Sequence, residues 1–364
     1  MQIQRPIAGL LVLTLAACSG GGGGSSPPAP SPPPPPPPPM SAPDFSALAI
    51  EAEASAAGDL AIMVGDETGI LYTYEKGNYQ VEDEVAIASA SKMVFGLLIW
   101  DLIESGDLNR GDTPDAYLSF WTDMAGDARS EVTLDQLMGF VSGFNEPPSN
   151  PGCISDAGIA LTDCVETIYQ DGLDTLPGAA FYYGPEHMQI AGLMASEATG
   201  QTVANLIDAR LAQPFGLTQT AYPASAGDNP RFSGQMRSSA EDVSRLLTAF
   251  LAGDLVADRS GYLEDRTAGV TFGSRPAGID ALDWHYGFGF WKECDDLSYT
   301  AQCDANPIIS SPGAFGFTPW IDITRGYWGI VAIEEFTIGG RSASQVSVEL
   351  QQRLQPIIEA ELDG

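Results

Sequence analysis

The alternation of apolar and polar positions divides the chain into helical and strand-like stretches. Helices are predicted over 44–57, 89–106, 188–198, 203–211, 241–251 and 342–362, with a capped helix start at 133–138. Strands are predicted over 60–64, 70–74, 284–291, 314–323 and 326–334. The first two strands flank a short polar segment bounded by Gly65 and Gly69, which indicates a hairpin.

The order of these elements predicts the fold class. A helix and two strands come first, a long helical stretch follows, and further strands and a helix close the chain. This order favours an α+β fold, in which an antiparallel sheet is flanked by helices and carries an inserted helical subdomain. The sheet part would comprise residues 44–107 and 266–364, the helical part residues 108–265, and a cleft between them is the expected site. Pro356 should kink the last helix or split off its final turn.

The first residues have the pattern of an export signal. Arg5 precedes an apolar run, residues 7–17, that is too short to span a bilayer. Leu15-Ala16-Ala17-Cys18 resembles a bacterial lipobox, so residues 1–18 are predicted to be a lipoprotein signal peptide with Cys18 lipidated. Residues 19–43 consist almost entirely of Gly, Ser and Pro, as expected of a disordered tether to the globular domain, residues 44–364. We expect a lipid-anchored protein, periplasm-facing or on the surface side of the outer membrane.

Composition restricts the possible partners. The formal net charge is −32 at pH 7, which argues against nucleic acids and against anionic membrane surfaces, leaving Cys18 as the expected membrane contact. Four further cysteines predict two disulfides in an exported domain, and the near pairs Cys153–Cys164 and Cys294–Cys303 are the simplest of three connectivities. The chain has two histidines and no Cys-x-x-Cys pattern, so no metal and no cofactor is predicted.

Ser89-Ala90-Ser91-Lys92 is the main candidate for chemistry. An apolar run to Trp100 follows it and predicts a helix in which Ser89 and Lys92 share one face. A serine becomes a nucleophile when a neighbour takes its proton, and a desolvated lysine can do so. The pattern therefore indicates a Ser–Lys pair at a helix N-terminus.

Four later segments, together with the one around Ser89, make a recognisable series. They are Thr133–Phe144 with Ser142-Gly143, Phe181–Gly200 with Tyr183 and Gly192, Phe232–Asp242 with Ser233-Gly234, and Ser311–Phe317. In this order they resemble the nucleophile segment and the "L-L-x-H-x-S-G", "Y-x-N", "G-G-x-x-S-T-A-x-D" and "K-T-G" or "H-x-G" segments of the serine β-lactamase-related family. That family includes class C β-lactamases, D-alanyl-D-alanine carboxypeptidases and family VIII esterases.

The resemblance implies roles for individual residues. Ser89 would attack the substrate carbonyl, and Lys92 and Tyr183 would take its proton and pass it to the leaving group, with either of the two as the base. The backbone N–H groups of Ser89 and Ala314 would form the oxyanion hole, and Ser311 and Gly313 would bind substrate. An acyl-enzyme would form and be hydrolysed by water.

Two departures from the family pattern affect the substrate. Pro185 stands at the Asn position of "Y-x-N", and Ser311 stands where the family has Lys or His. Ser311 offers only a neutral hydrogen bond to a substrate carboxylate. We therefore predict a neutral or weakly polar ester or amide rather than a penicillin. His187 is expected to line the cleft or to face solvent, and His285 to pack in an aromatic strand.

Three functions remain open on the sequence. The first is a serine hydrolase that cleaves a small ester or amide through an acyl-enzyme on Ser89. The second is a peptidoglycan DD-carboxypeptidase or weak β-lactamase, which the Ser89, Lys92 and Tyr183 set allows. The third is a non-catalytic member that binds a cell-wall peptide or a partner, since a fold does not fix a function.

Overall fold

The structure is a computed structural model that describes residues 43–144, 152–276, 278–294 and 298–363. The chain divides into a unit of Met1–Ala42 and a compact unit of Pro43–Gly364. The predictions of a signal peptide, of lipidation at Cys18 and of a tether up to residue 42 lie outside the described residues. Among the described helices, none is both long enough and apolar enough to cross a bilayer.

The described residues form helices and short strands. The α-helices are α1 Ser46–Ala54, α2 Ser91–Glu104, α3 Leu134–Met138, α4 Leu161–Asp171, α5 Glu186–Thr199, α6 Val203–Ile207, α7 Gln213–Phe215, α8 Ala240–Ala252, α9 Arg259–Tyr262, α10 Ala301–Ala305 and α11 Ala343–Leu362. The strands are β1 Leu60–Asp66, β2 Gly69–Lys76, β3 Val85–Ala86, β4 Ala180–Tyr182, β5 Arg237–Ser238, β6 Thr271–Ser274, β7 His285–Tyr286, β8 Trp291–Glu293, β9 Ile308–Ser310, β10 Thr318–Asp322, β11 Tyr327–Ala332, β12 Thr337–Ile338 and β13 Arg341–Ser342.

Seven strands make an antiparallel sheet in the order β2-β1-β11-β10-β9-β8-β7. Its central strands bury both faces. On β1, Leu60, Ile62 and Val64 pack in one apolar cluster with α1 and α11, whereas Ala61 and Met63 pack in a second cluster with α2 and α8. Helices therefore cover both faces, and the helical stretch between β2 and β7 adds most of the second cluster. The predicted α+β class is confirmed.

Helix ends follow the capping residues in the sequence. Thr133 and Gln136 form a capping box at the start of α3, and the Ser239 side chain accepts a hydrogen bond from the Asp242 N–H at the start of α8. Helix α5 ends at Gly200, whose φ of 67° lies in the left-handed region that favours glycine. These local signals determine where α3 and α8 begin and where α5 ends.

Two predicted strands differ from the structure. Residues 284–291 do not form a single strand, because β7 and β8 pair with each other as a hairpin. In its turn, the Gly287 N–H donates a hydrogen bond to the Phe290 carbonyl at 2.9 Å. The strand predicted over 314–323 begins only at Thr318. The segment before it is a turn in which the Gly313 N–H donates to the Phe317 carbonyl.

Pro356 does not split the last helix, since α11 runs unbroken to Leu362. Pro356 and Gln352 both lie on the exposed face of α11. Water can therefore satisfy the Gln352 carbonyl that lacks a donor from the proline.

Candidate active site

Ser89 lies in a 3-10 turn, Ala88–Ala90, directly before α2. The preceding Ala88 has a φ of 47°, an unfavourable conformation for a residue with a Cβ. Its carbonyl accepts a hydrogen bond from the Ser91 hydroxyl at 2.5 Å, and that hydroxyl in turn accepts from the Met236 N–H at 3.2 Å. The strained turn is therefore held by the pairing of β3 with β5 next to it.

Lys92 lies one turn into the same segment, with its amine buried. Its Nζ is 3.0 Å from Ser89 Oγ and donates to the Ser233 carbonyl oxygen at 2.6 Å, while the residue is 3% exposed. Burial lowers the pKa of Lys92 well below its ordinary value, and the positive charge of Arg231 lowers it further. A neutral amine at this distance has a lone pair with which to accept the Ser89 proton.

Tyr183 completes the cluster from the end of β4. Lys92 Nζ lies 4.4 Å from the centre of the Tyr183 ring, which stacks on Trp291 with ring centres 5.4 Å apart. Burial raises the pKa of the Tyr183 phenol, and hydrogen bonds with Ser89 and Trp291 offset only part of this. The phenol is therefore protonated at neutral pH and can donate a proton.

The segment after β9 closes the other side of Ser89. The Ser311 hydroxyl donates to the Ser89 carbonyl at 3.0 Å. A Cβ on Gly313 would lie 2.2 Å from the Ile87 carbonyl oxygen, so only glycine fits there. In the described part of the chain, the N–H groups of Ser89 and Ala314 have no hydrogen-bond acceptor. Both donors are therefore free, and the contact of Gly313 with Ile87 brings the two segments that carry them together, as an oxyanion hole would require.

A buried histidine supports the tyrosine segment. His187 is fully buried, its Nδ1 is 2.8 Å from Ser142 Oγ, and its Nε2 is 3.0 Å from the Tyr182 carbonyl oxygen. Because a carbonyl only accepts, Nε2 carries the proton and Ser142 donates to Nδ1. His187 therefore neither lines the cleft nor faces solvent. It stacks on Phe140, which occupies the histidine position of "L-L-x-H-x-S-G". That exchange is the sequence signal that could have revealed the contact.

The first residue of α5, Glu186, has a buried carboxyl group. Glu186 follows Pro185, is 2% exposed, and neither carboxyl oxygen has a hydrogen-bond partner among the described residues. Burial raises the pKa of Glu186 to about 8, and the charges of Asp174 and Asp171 act in the same direction. This group carries a proton at neutral pH, and no sequence pattern pointed to it.

Comparisons with known proteins identify the family and the fold. The Beta-lactamase family model matches residues 32–338. The chain belongs to the β-lactamase family. A candidate β-lactamase from Bacteroides dorei DSM 17855 superposes with a TM-score of 0.71 at 25% identity, covering 87% of this chain and 99% of that one. A D-stereospecific amidohydrolase from Streptomyces shares the fold with a TM-score of 0.65 at 17% identity, covering 84% of this chain and 98% of its own.

A curated relative matches a shorter stretch of this β-lactamase-family chain. Protein flp from Staphylococcus aureus strain N315 is 25% identical over 136 residues, which are 37% of this chain and 27% of flp. The chain therefore spans well under half of that relative's length.

The glycine of the "Y-x-N … G" segment has a structural reason in this family member. A Cβ on Gly192 would lie 2.2 Å from the ring of Phe232, which stacks on Phe95 with ring centres 5.2 Å apart. Phe232 precedes Ser233, so this packing sets the carbonyl that binds Lys92. Helix α5 therefore helps to position Lys92, through the contact of Gly192 with Phe232.

The described cysteines form two pairs. Cys153 pairs with Cys164 and Cys294 with Cys303, at Cα–Cα distances of 5.3 and 5.2 Å. The second pair lies between β8 and β9, in the hairpin that leads to Ser311. Over the described ranges, no group of three or more His, Cys, Asp or Glu side chains is arranged to hold a metal ion.

Proposed function

We propose that this member of the β-lactamase family is a serine hydrolase that cleaves a small ester or amide through an acyl-enzyme on Ser89. The observation that carries the proposal is the buried Lys92 amine, 3.0 Å from Ser89 Oγ. A base whose neutral form is favoured by burial can accept the serine proton as the nucleophile attacks. A purely binding protein has no need of this arrangement.

The reaction has two steps. In the first, Ser89 Oγ bonds to the substrate carbonyl carbon, its proton goes to Lys92, and the N–H groups of Ser89 and Ala314 stabilise the oxyanion. The bond to the leaving group then breaks, and Tyr183 delivers the proton to that group while regaining one from Lys92. In the second step, water attacks the acyl-enzyme with the same groups acting in reverse, which restores Ser89.

The side of the cleft at Ser311 favours a leaving group without a carboxylate. The Ser311 hydroxyl is 3.0 Å from the Ser89 carbonyl and donates to it, so it offers neither a charge nor a free donor at that position. The amidohydrolase and hydrolase activities named for relatives of this fold fit the same proposal. The two cysteine pairs support an exported protein, and we propose an anchored, periplasm-facing or outer-membrane location.

A peptidase or weak lactamase activity is the competing proposal. It is favoured by the intact set of Ser89, Lys92 and Tyr183 and opposed by the neutral hydroxyl at Ser311. A relative of the same fold is described as a β-lactamase/D-alanine carboxypeptidase from Yersinia pestis. The same assay separates the two.

The test compares two chromogenic substrates. The purified chain and its Ser89→Ala variant are assayed on 4-nitrophenyl butyrate and on a chromogenic cephalosporin. Ester turnover that disappears in the variant supports the proposal. Efficient cephalosporin turnover would contradict it and indicate a β-lactamase instead. A fluorophosphonate probe supplies the check on chemistry. Labelling at Ser89 marks a reactive serine, and its absence, together with no turnover, would mean a binding protein.

A further inference from the structure

Arg231 carries a charge that nothing in the described part of the chain neutralises. It makes no ion pair and no side-chain hydrogen bond there, although the chain bears a formal net charge of −32. The other described arginines all have acidic partners, apart from Arg259, which donates to the carbonyls of Phe250 and Leu251. Arg231 is therefore exceptional among the described arginines in being exposed and unpaired.

This charge lies at the catalytic cleft. A Cβ on Gly234 would lie 3.6 Å from Arg231 Nε, 3.8 Å from an Nη, and 3.8 Å from the carbonyl carbon of Ala88. Gly234 follows Ser233, whose carbonyl accepts from Lys92 at 2.6 Å. The guanidinium thus lies over the two backbone segments that hold Ser89 and Lys92, and its charge depresses the pKa of Lys92.

The turn that bears Arg231 is rigid. The Arg231 carbonyl accepts from the N–H groups of Gly234 at 3.1 Å and Gln235 at 3.0 Å, and its own N–H donates to the Gln235 side chain at 2.9 Å. The next residue, Phe232, is buried against Phe95. The backbone is therefore fixed while the guanidinium remains exposed to solvent and to a ligand.

The Lys92 amine contacts two different segments of the chain. The Tyr183 ring, 4.4 Å away, follows β4 and belongs to the group that would protonate the leaving group. The Ser233 carbonyl, 2.6 Å away, belongs to the turn that bears Arg231. The Arg231 cation is therefore on a different segment from both Tyr183 and the neutral Ser311 hydroxyl, and we assign it to the acyl portion of a substrate rather than to the leaving group.

We propose that Arg231 binds a carboxylate on the acyl group of the substrate, so that the preferred substrates are half-esters or half-amides of dicarboxylic acids. A guanidinium offers two parallel N–H donors to a carboxylate, which makes the contact geometrically selective. The inference rests on the proposed hydrolase function and names its substrate class. It differs from the sequence-based expectation of a neutral or weakly polar substrate, which considered only the missing cation at Ser311.

The test uses a matched pair of esters. Mono-4-nitrophenyl glutarate and 4-nitrophenyl pentanoate have equal chain lengths and differ in a carboxylate against a methyl group. We expect the wild-type chain to prefer the glutarate, and Arg231→Gln to lower the ratio of the two kcat/KM values about tenfold, mostly through KM. The ratio is used because an effect of Arg231 on Lys92 cancels in it. The rate measured with Ser89→Ala is subtracted from each enzymatic rate. This is necessary because the carboxylate of the glutarate attacks its own ester group and releases nitrophenol without the enzyme.

Controls separate this contact from general electrostatics. Arg353→Gln removes the same charge from α11, where Arg353 pairs with Glu51, and should leave the ratio unchanged. An unchanged ratio in Arg231→Gln would overturn the proposal. A third ester, 4-(pentanoyloxy)benzoate, carries its carboxylate on the leaving group. A preference for this ester alone that depends on Arg231 would also overturn the proposal, because it would place the carboxylate on the leaving group.

Binding decides the question if no ester is turned over. Calorimetric titration of the Ser89→Ala chain with monomethyl glutarate and with methyl pentanoate needs no catalysis. Tighter binding of the glutarate that is lost in Ser89→Ala/Arg231→Gln supports the carboxylate site even where the hydrolase proposal fails. Equal binding of both esters overturns the site, whatever the hydrolase assay shows.

Discussion

Lys92 Nζ donates a 2.6 Å hydrogen bond to the carbonyl oxygen of Ser233. A neutral amine has two hydrogens and one lone pair, so this bond orients the amine as well as holding it. With one hydrogen committed to Ser233 and Ser89 Oγ at 3.0 Å, the lone pair can face the serine hydroxyl. The geometry favours Lys92 over Tyr183 as the group that first takes the proton.

The pH dependence of kcat/KM should report this amine. Protonated Lys92 cannot accept the Ser89 proton, so activity should be low at acidic pH and rise as Lys92 loses its proton. Because burial lowers its pKa well below the ordinary lysine value, the plateau should be reached below the ordinary lysine range. Lys92→Arg cannot deprotonate and should lose about a thousandfold in kcat/KM.

Lys76→Arg is the matched control for that substitution. Lys76 donates to the carbonyls of Ala52, Glu53 and Ser55, away from the site, and the change should leave activity within twofold. A Lys92→Arg chain that kept a tenth of the wild-type kcat/KM would show that another group is the base.

The Tyr183 hydroxyl can be separated from its ring. Tyr183→Phe keeps the stacking on Trp291 but removes the proton that the leaving group needs. We expect kcat/KM to fall between about a hundredfold and ten-thousandfold, with a melting temperature close to that of the wild type. Tyr286→Phe is the control. Its buried hydroxyl has no partner in the described structure, and its ring lies 6.2 Å from that of Tyr183. Equal losses in both variants would mean that the effect on Tyr183 is one of packing.

Gly313 tests the oxyanion side of the cleft. In Gly313→Ala the new methyl group would meet the Ile87 carbonyl at 2.2 Å, which forces the segment with Ala314 away from the nucleophile. We expect kcat to fall about a hundredfold, because a shift of this size misplaces the donors of the oxyanion hole. Gly58→Ala has open space around its Cβ and should leave kcat unchanged. Full activity in Gly313→Ala would exclude Ala314 from the oxyanion hole.

Local sequence signals predicted the parts of this fold that depend on neighbours in the chain. Ser89 and Lys92 meet because three residues make one helical turn, and α5 and α8 end where Gly200 and Gly253 allow left-handed backbone. The hairpin of β1 and β2 follows from alternation and from a turn between Asp66 and Gly69. In each case the deciding interaction spans only a few residues.

Contacts between segments that are distant in the chain were not predicted from the sequence. No residue next to His187 in the chain indicates that it binds Ser142, 45 residues earlier, and the only signal is the distant Phe140 at the family's histidine position. Arg231 acquires its place only through the packing of its turn against Ala88. The hairpin of β7 and β8 was missed for another reason. An alternating aromatic and glycine pattern is equally compatible with one strand or with two strands and a tight turn, and only the pairing with β9 decides.

Glu186 offers a test of stability rather than of activity. Its carboxyl group has a pKa of about 8 in the folded chain and about 4.3 in an unfolded one. Between these values the folded state holds a proton that the unfolded state has lost. The free energy of unfolding contributed by Glu186 should therefore decrease as pH rises through this window, by up to about 1.4 kcal/mol per pH unit.

Glu186→Gln removes that titration while keeping the shape of the side chain. The free energy of unfolding of the variant, less that of the wild type, should rise steadily from pH 5 to pH 8 in urea titrations and level off above pH 8. Glu197→Gln, which removes an exposed carboxylate from the same helix, is the control and should show a small difference at every pH because solvent screens its charge. A flat difference for Glu186→Gln would mean that Glu186 is ionised in the folded protein, with its charge compensated by a partner or by water.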